Sequence, residues 1–220
     1  MTERKATGLY DPAFERDSCG FGLIANLDDL PSHWVVETAI SALVRLTHRG
    51  AVAADGKTGD GCGLLIKFPE AFMRSVAGEL GFSLAGRFAA GTVFLGQREA
   101  VADEARRTID AAIAELGLEV AGWRVVPTDP SVCGERALAT LPRIEQVFVN
   151  APDGMPRGRF NRRLFLARRK AEQRLGEGET YIASLSSASI SYKGMIMPGA
   201  LPRFFPDPVS YTQLTLPTSK

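Results

Sequence analysis

Apolar positions along the chain follow two rhythms. Continuous or alternating apolar runs predict strands over residues 19–27, 63–68, 88–95, 120–126, 144–149, 181–185 and 189–197, the last hairpinned with the one before it. Three- and four-residue spacing predicts helices. The first spans about 34–48, with Val36, Ala39, Ile40, Leu43 and Leu46 on one face and Gly50 closing its end in left-handed geometry. A second spans 100–116, with Val101, Ala105, Ile109, Ile113 and Leu116 inward, and a third spans 158–175 around Phe160, Leu164, Ala167, Ala171 and Leu175. Pro69 is placed to open a short helix through Leu80. From Phe88 onward the order is β-α-β-β-α-β, the pattern of a split, ferredoxin-like unit in an α/β (α+β) protein. Residues 1–18 read as an irregular polar leader, and residues 51–61 as a loop rich in glycine and aspartate.

Composition narrows the function classes. Lys and Arg number 26 against 25 Asp and Glu, so no strong overall field draws the chain to nucleic acid or membrane. No run approaches the roughly 18 apolar residues of a spanning helix, and the charged start carries no secretory h-region. Cys19, Cys62 and Cys133 are an odd number without a C-x-x-C pair, which argues against a disulfide framework or structural zinc and for a reducing cytoplasm. With His33 and His48 alone, there is little room for histidine-based metal or triad chemistry. Residues 209–220 lack the Gly, Ala, Arg and acidic residues used heavily elsewhere and resemble translated vector tails. Residues 208–220 are therefore expected to be non-native.

Several motifs invite chemistry. Gly20-Phe-Gly22-Leu-Ile-Ala25 spells G-x-G-x-x-A, but no strand precedes it and no helix opens in it, as pyrophosphate binding requires. Gly50 to Thr58 has five residues between its glycines where a phosphate loop needs four, and it follows a helix. The cluster Arg157, Arg159, Arg162, Arg163, Arg168, Arg169, Lys170 and Arg174 could face RNA or an acidic protein. The same helix also carries an apolar stripe, and a solvated face is favoured. Cys62 and Cys133 read as small buried hydrophobes. Cys19 differs, because a polar leader ends at Ser18 and a predicted strand begins at Cys19 itself. Without the leader, Cys19 would carry a free α-amine, with a reference pKa of about 7.7–8.0, able to take the thiol proton.

Three runs carry a family resemblance: Asp17-Ser-Cys19-Gly-Phe-Gly22, Leu46-Thr-His-Arg49-Gly-Ala51, and Asp55-Gly-Lys-Thr-Gly-Asp60-Gly-Cys-Gly63. With residues 122–127, 142–146, 191–195 and 206–207, they resemble the start of glutamate synthase large subunits across about residues 10–207. The resemblance implies a class II glutamine amidotransferase of the N-terminal-nucleophile hydrolase type, an α/β/β/α sandwich. It also implies removal of residues 1–18, a partial domain over 19–207, and Cys19 as nucleophile through a glutamyl thioester. Arg49 would pair with the glutamine α-carboxylate through two parallel bonds. Asp60 would be a substrate contact or, ranked first, a loop organiser.

For the full-length subunit the resemblance implies FMN, an iron–sulfur cluster, a small subunit and glutamate formation from 2-oxoglutarate; it implies no cofactor in this segment. The expected partners are glutamine and the rest of that enzyme, without nucleic acid or membrane. The family's H-x-R-[FY]-S-T-N and H-N-G-E motifs do not occur in the 220 residues. Removing one oxyanion donor costs on the order of a hundred- to thousandfold in rate, so this polypeptide alone is expected to be nearly inactive. The alternatives are a noncatalytic RNA- or protein-binding module built on the basic helix, or another N-terminal-nucleophile amidohydrolase.

Overall fold

A computed structural model describes residues 20–207 except Asp29 and Pro31. Cys19, the expected leader and the expected tail lie outside the described residues. The elements are α1 (His33–Arg45), β1 (Cys62–Lys67), α2 (Glu70–Glu79), β2 (Phe88–Leu95), α3 (Glu99–Glu115), β3 (Glu119–Val125), α4 (Glu135–Ala139), β4 (Arg143–Asn150), α5 (Arg157–Leu175), β5 (Tyr181–Ser186), β6 (Ser189–Gly194) and α6 (Leu201–Phe204).

The expected β-α-β-β-α-β unit forms from β2 to β5. Its sheet runs in the order β3-β4-β2-β5 with every neighbouring pair antiparallel, the ferredoxin-like arrangement. Strand β2 is buried almost throughout because both sheet faces are covered. Residues on a strand alternate faces. Ala89, Val93 and Leu95, with Val147 and Val149 of β4, meet α3 and α5. Phe88, Ala90, Ile144 and Phe148 point the other way, into a core shared with Leu64 of β1, Ile190 and Tyr192 of β6, and Phe72 and Met73 of α2. The second sheet is the antiparallel pair β1-β6, and α1 packs near β1. Helix layer, four-stranded sheet, two-stranded sheet and α1 follow one another.

Four expectations change. Residues 20–27 form no strand; Phe21, Leu23 and Leu27 are exposed, and no described strand pairs with them. An apolar run predicts burial, but a strand also needs a neighbour's hydrogen bonds. Gly50 is extended (φ −107°), not left-handed: α1 ends at Arg45, the N–H of the capping Leu46 bonds back to Leu43 O, and a 3-10 turn follows. β6 stops at Gly194 and forms no hairpin with β5; after the short connection it joins β1 in the other sheet. Finally, α4 lies in the longer connection between β3 and β4, where the apolar pattern assigns no element; five residues are too few to display a period.

Candidate active site

The turn carrying Arg49 is fixed locally. Thr47 Oγ1 donates to Val44 O (2.6 Å), Arg49 N to Leu46 O (2.8 Å) and Gly50 N to Thr47 O (3.3 Å). His48 Nδ1 sits 2.9 Å from Arg45 O. Arg49 is exposed, and among the described residues its guanidinium has no hydrogen bond or ion pair. Gly20, the neighbour of Cys19, lies against this turn. A side-chain carbon added there would come within 3.3 Å of Leu46 Cδ2 and 3.5 Å of Arg49 Cγ. Gly20 and Leu46 also line an apolar cavity of about 530 Å³ between residues 20–26, α1 and β1.

Residues 51–60 form a small hairpin below Arg49. Asp60 Oδ2 accepts from Ala51 N (2.5 Å), Asp60 N donates to Ala51 O (3.2 Å), Val52 bridges Gly59, and Ala53 N donates to Thr58 O (2.9 Å). Asp60 thus closes the base of the hairpin. Gly59 passes so close to the 194–197 segment that a side-chain carbon would sit 3.0 Å from Ile196 O, so only glycine fits without a shift. The hairpin occupies the run that falls one residue outside phosphate-loop spacing, and its Thr58 is committed to Asp55 rather than free for a ligand.

The described thiols are poor nucleophiles. Cys62 Sγ donates to Ile196 O (3.3 Å), and burial pushes its pKa up to about 11. Burial, then the Asp129 charge, raises Cys133 as well. Only the thiolate attacks, so both are held in the unreactive form near neutrality.

A family model for glutamine amidotransferases class-II matches residues 19–215, beginning on Cys19. The chain belongs to this family. Its mixed α/β fold with two antiparallel sheets is that of a class II amidotransferase domain of the N-terminal-nucleophile hydrolase type. It is 41% identical over 203 residues to the glutamate synthase [NADPH] large chain of Azospirillum brasilense, covering 90% of this chain and 13% of that one. It is 38% identical over 206 residues to the glutamate synthase [NADPH] large chain of Bacillus subtilis (92% and 14%). It is 36% identical over 209 residues to ferredoxin-dependent glutamate synthase 1 of Arabidopsis thaliana (92% and 13%). The amidotransferase chain therefore spans only about one seventh of these relatives' length.

Of the expected site residues, the structure places Arg49 and Asp60 in one region, with Gly20 packed beside Arg49, while Cys19 lies outside the described residues. Sequence reasoning missed a second polar centre. Arg124 Nε and Nη2 donate to Gln146 Oε1 (2.8 and 2.6 Å), and Nη2 also pairs with Asp207 Oδ2 at 2.5 Å. Gln146 Nε2 reaches Tyr192 Oη and Thr92 Oγ1, each at 3.5 Å, and all five residues are buried. The signal was present: Arg124, Gln146, Tyr192 and Asp207 fall one each in the four later segments that carried the resemblance. In the basic helix, Arg168 and Arg169 pair with Glu172, and Lys170 and Arg174 pair with Glu115. Half of the eight cations are thus matched within the domain, which weakens the case for an RNA surface.

No described helix is long and apolar enough to cross a membrane. Among the described residues no cluster of His, Cys, Asp or Glu could hold a metal ion. Cys62 and Cys133 are too few for the thiolate set of an iron–sulfur cluster. These residues do not fit that group.

Proposed function

We propose that this amidotransferase domain is the glutamine-hydrolysing portion of a glutamate synthase large subunit, with Cys19 as nucleophile once residues 1–18 are removed. The observation that carries the reading is the family match beginning on Cys19, with Gly20 packed beside Arg49. The freed α-amine takes the thiol proton, directly or through water, and the thiolate attacks the side-chain amide carbon of glutamine. Collapse of the tetrahedral intermediate breaks the C–N bond. The α-ammonium returns its proton to the leaving nitrogen, ammonia departs, and a glutamyl thioester remains. Water, deprotonated by the same amine, attacks the thioester; glutamate leaves and the thiol is restored.

Arg49 binds the glutamine α-carboxylate through its planar fork. Its lack of an internal partner among the described residues supports that role, and the Ala51 bond supports Asp60 as the organiser of the adjoining loop. The ammonia serves glutamate formation from 2-oxoglutarate elsewhere in the large subunit, which works with a small subunit in the cytoplasm. FMN and an iron–sulfur cluster belong to those other segments. The test uses the full-length large subunit. Mass spectrometry is expected to find Cys19 at the mature N-terminus, and Cys19→Ala is expected to abolish glutamine hydrolysis while ammonia-dependent glutamate formation persists. Retention of residues 1–18 in the active enzyme, or undiminished hydrolysis by Cys19→Ala, would overturn the reading.

A further inference from the structure

We propose that Asp55 and Thr58 are positioning residues that cap the N-terminus of α4 from the hairpin and thereby fix the loop carrying Arg49 and Asp60. The first N–H groups of a helix lack partners inside it. The N-cap residue of α4, Gly134, has no side chain to supply one. The missing acceptors come from far away in sequence. Arg136 N donates to Asp55 Oδ2 (3.5 Å) and Ala137 N to Thr58 Oγ1 (3.3 Å).

Asp55 in turn holds the tip of its own hairpin. Its Oδ1 accepts from Lys57 N (2.9 Å) and Thr58 N (2.7 Å), and its Oδ2 accepts from Thr58 Oγ1 (2.6 Å). The Thr58 hydroxyl, then the Thr58 and Lys57 amides, hold the Asp55 carboxyl far below the usual range, so it stays ionised throughout working pH. Gly134 makes the approach possible: any side-chain carbon there would overlap Asp55 Oδ2 and Thr58 Oγ1.

The hairpin is therefore pinned at both ends. The Ala51–Asp60 pair closes its base, immediately after Arg49 and Gly50, and α4 holds its tip. Releasing the tip leaves the chain leaving Arg49 fixed only by the base. This inference rests on the reading of Arg49 as the carboxylate anchor. A displaced anchor weakens glutamine binding more than it alters the chemistry at Cys19.

The test compares Asp55→Ala, Thr58→Val, Thr58→Ser and Gly134→Ala in the full-length large subunit. Glutamine-dependent and ammonia-dependent glutamate formation are both measured, with Cys19→Ala as reference. Asp55→Ala, Thr58→Val and Gly134→Ala are each expected to raise the glutamine KM by about tenfold, with kcat changed less. Thr58→Ser, which keeps the hydroxyl, is expected to stay near the unaltered enzyme, as is ammonia-dependent activity in all four. Gly134→Ala is the most informative variant, because it disturbs the junction while leaving every residue of the hairpin unchanged. An unchanged KM in Gly134→Ala and Asp55→Ala overturns the proposal. So does a parallel fall of both activities in those variants, the signature of general unfolding. If Cys19→Ala abolishes hydrolysis while these KM values stay fixed, the positioning role alone fails; if Cys19→Ala still hydrolyses glutamine, the catalytic reading fails with it.

Discussion

A thiol's surroundings decide whether it reacts, and here the two described cysteines are held on the inert side. Cys62 lies on the inward face of β1 and donates to Ile196 O; with its pKa at about 11, only about one thiol in a thousand is ionised at pH 8. Iodoacetamide at pH 8 is therefore expected to leave Cys62 and Cys133 unmodified over a period in which free cysteine reacts fully, as peptide mass spectrometry would read. Rapid labelling of Cys62 at that pH would contradict its burial. The same shift carries a stability consequence. The folded state binds this proton more tightly than the unfolded chain, whose thiol keeps its ordinary value of 9.0. The contribution is fully present below about pH 9 and is lost as pH rises towards 11. Both thiols were legible in the sequence as small hydrophobes, because a cysteine without an activating setting is usually an inert, small apolar residue. The Asp55 junction was not legible, since its acceptors and the α4 amides stand about eighty positions apart.

At the scale of elements, the helices that cover the four-stranded sheet show how periodicity becomes packing. Phe160, Leu164, Ala167 and Ala171 return every three or four residues and are almost completely buried in α5, while Arg159, Arg162 and Arg169 face outward. Truncating Phe160 removes a fully buried ring and leaves a cavity, so Phe160→Ala is expected to lower unfolding stability by about 3–5 kcal/mol in urea melts. Arg162→Ala, on the solvent side, is expected to change it by no more than about 0.5 kcal/mol. Equal effects from the two would deny the assigned face. Helices α3 and α5 were readable because a helix satisfies its own backbone bonds and shows its buried face within one segment. Residues 20–27 and the partner of β6 were misread for the opposite reason. Strand pairing lies between distant segments, so an apolar run such as Gly20 to Leu27 announces affinity for a core without naming a neighbour. The short stretch after β5 likewise looks like a hairpin turn until β1 is seen to take β6 as its partner.

Across the whole molecule, the two sheets face each other over a mostly apolar core, yet one charged pair crosses it. Arg124 on β3 meets Asp207, just beyond α6, while Gln146 on β4 links that pair towards Tyr192 on β6. Tyr192 also packs edge-on against Phe205, and burial raises its phenol pKa so that it stays protonated. The centre thus binds the four-stranded sheet, the two-stranded sheet and the 201–207 segment together, and that segment follows directly on the stretch whose Ile196 carbonyl backs Gly59 and Cys62. Four separate family segments meet here, which the linear sequence could list but not assemble. A buried ion pair adds little net stability over an apolar replacement, but breaking it strands a charge in a medium that cannot solvate it. Arg124→Met should therefore cost about 3–5 kcal/mol in thermal or urea unfolding, because the buried Asp207 carboxyl is left without its partner. Replacing both, as Arg124→Met with Asp207→Leu, should recover most of that loss, since no charge remains to be desolvated. If the double variant is as unstable as the sum of the two single ones, the pair is not a coupled unit and the sheets are held by apolar packing alone.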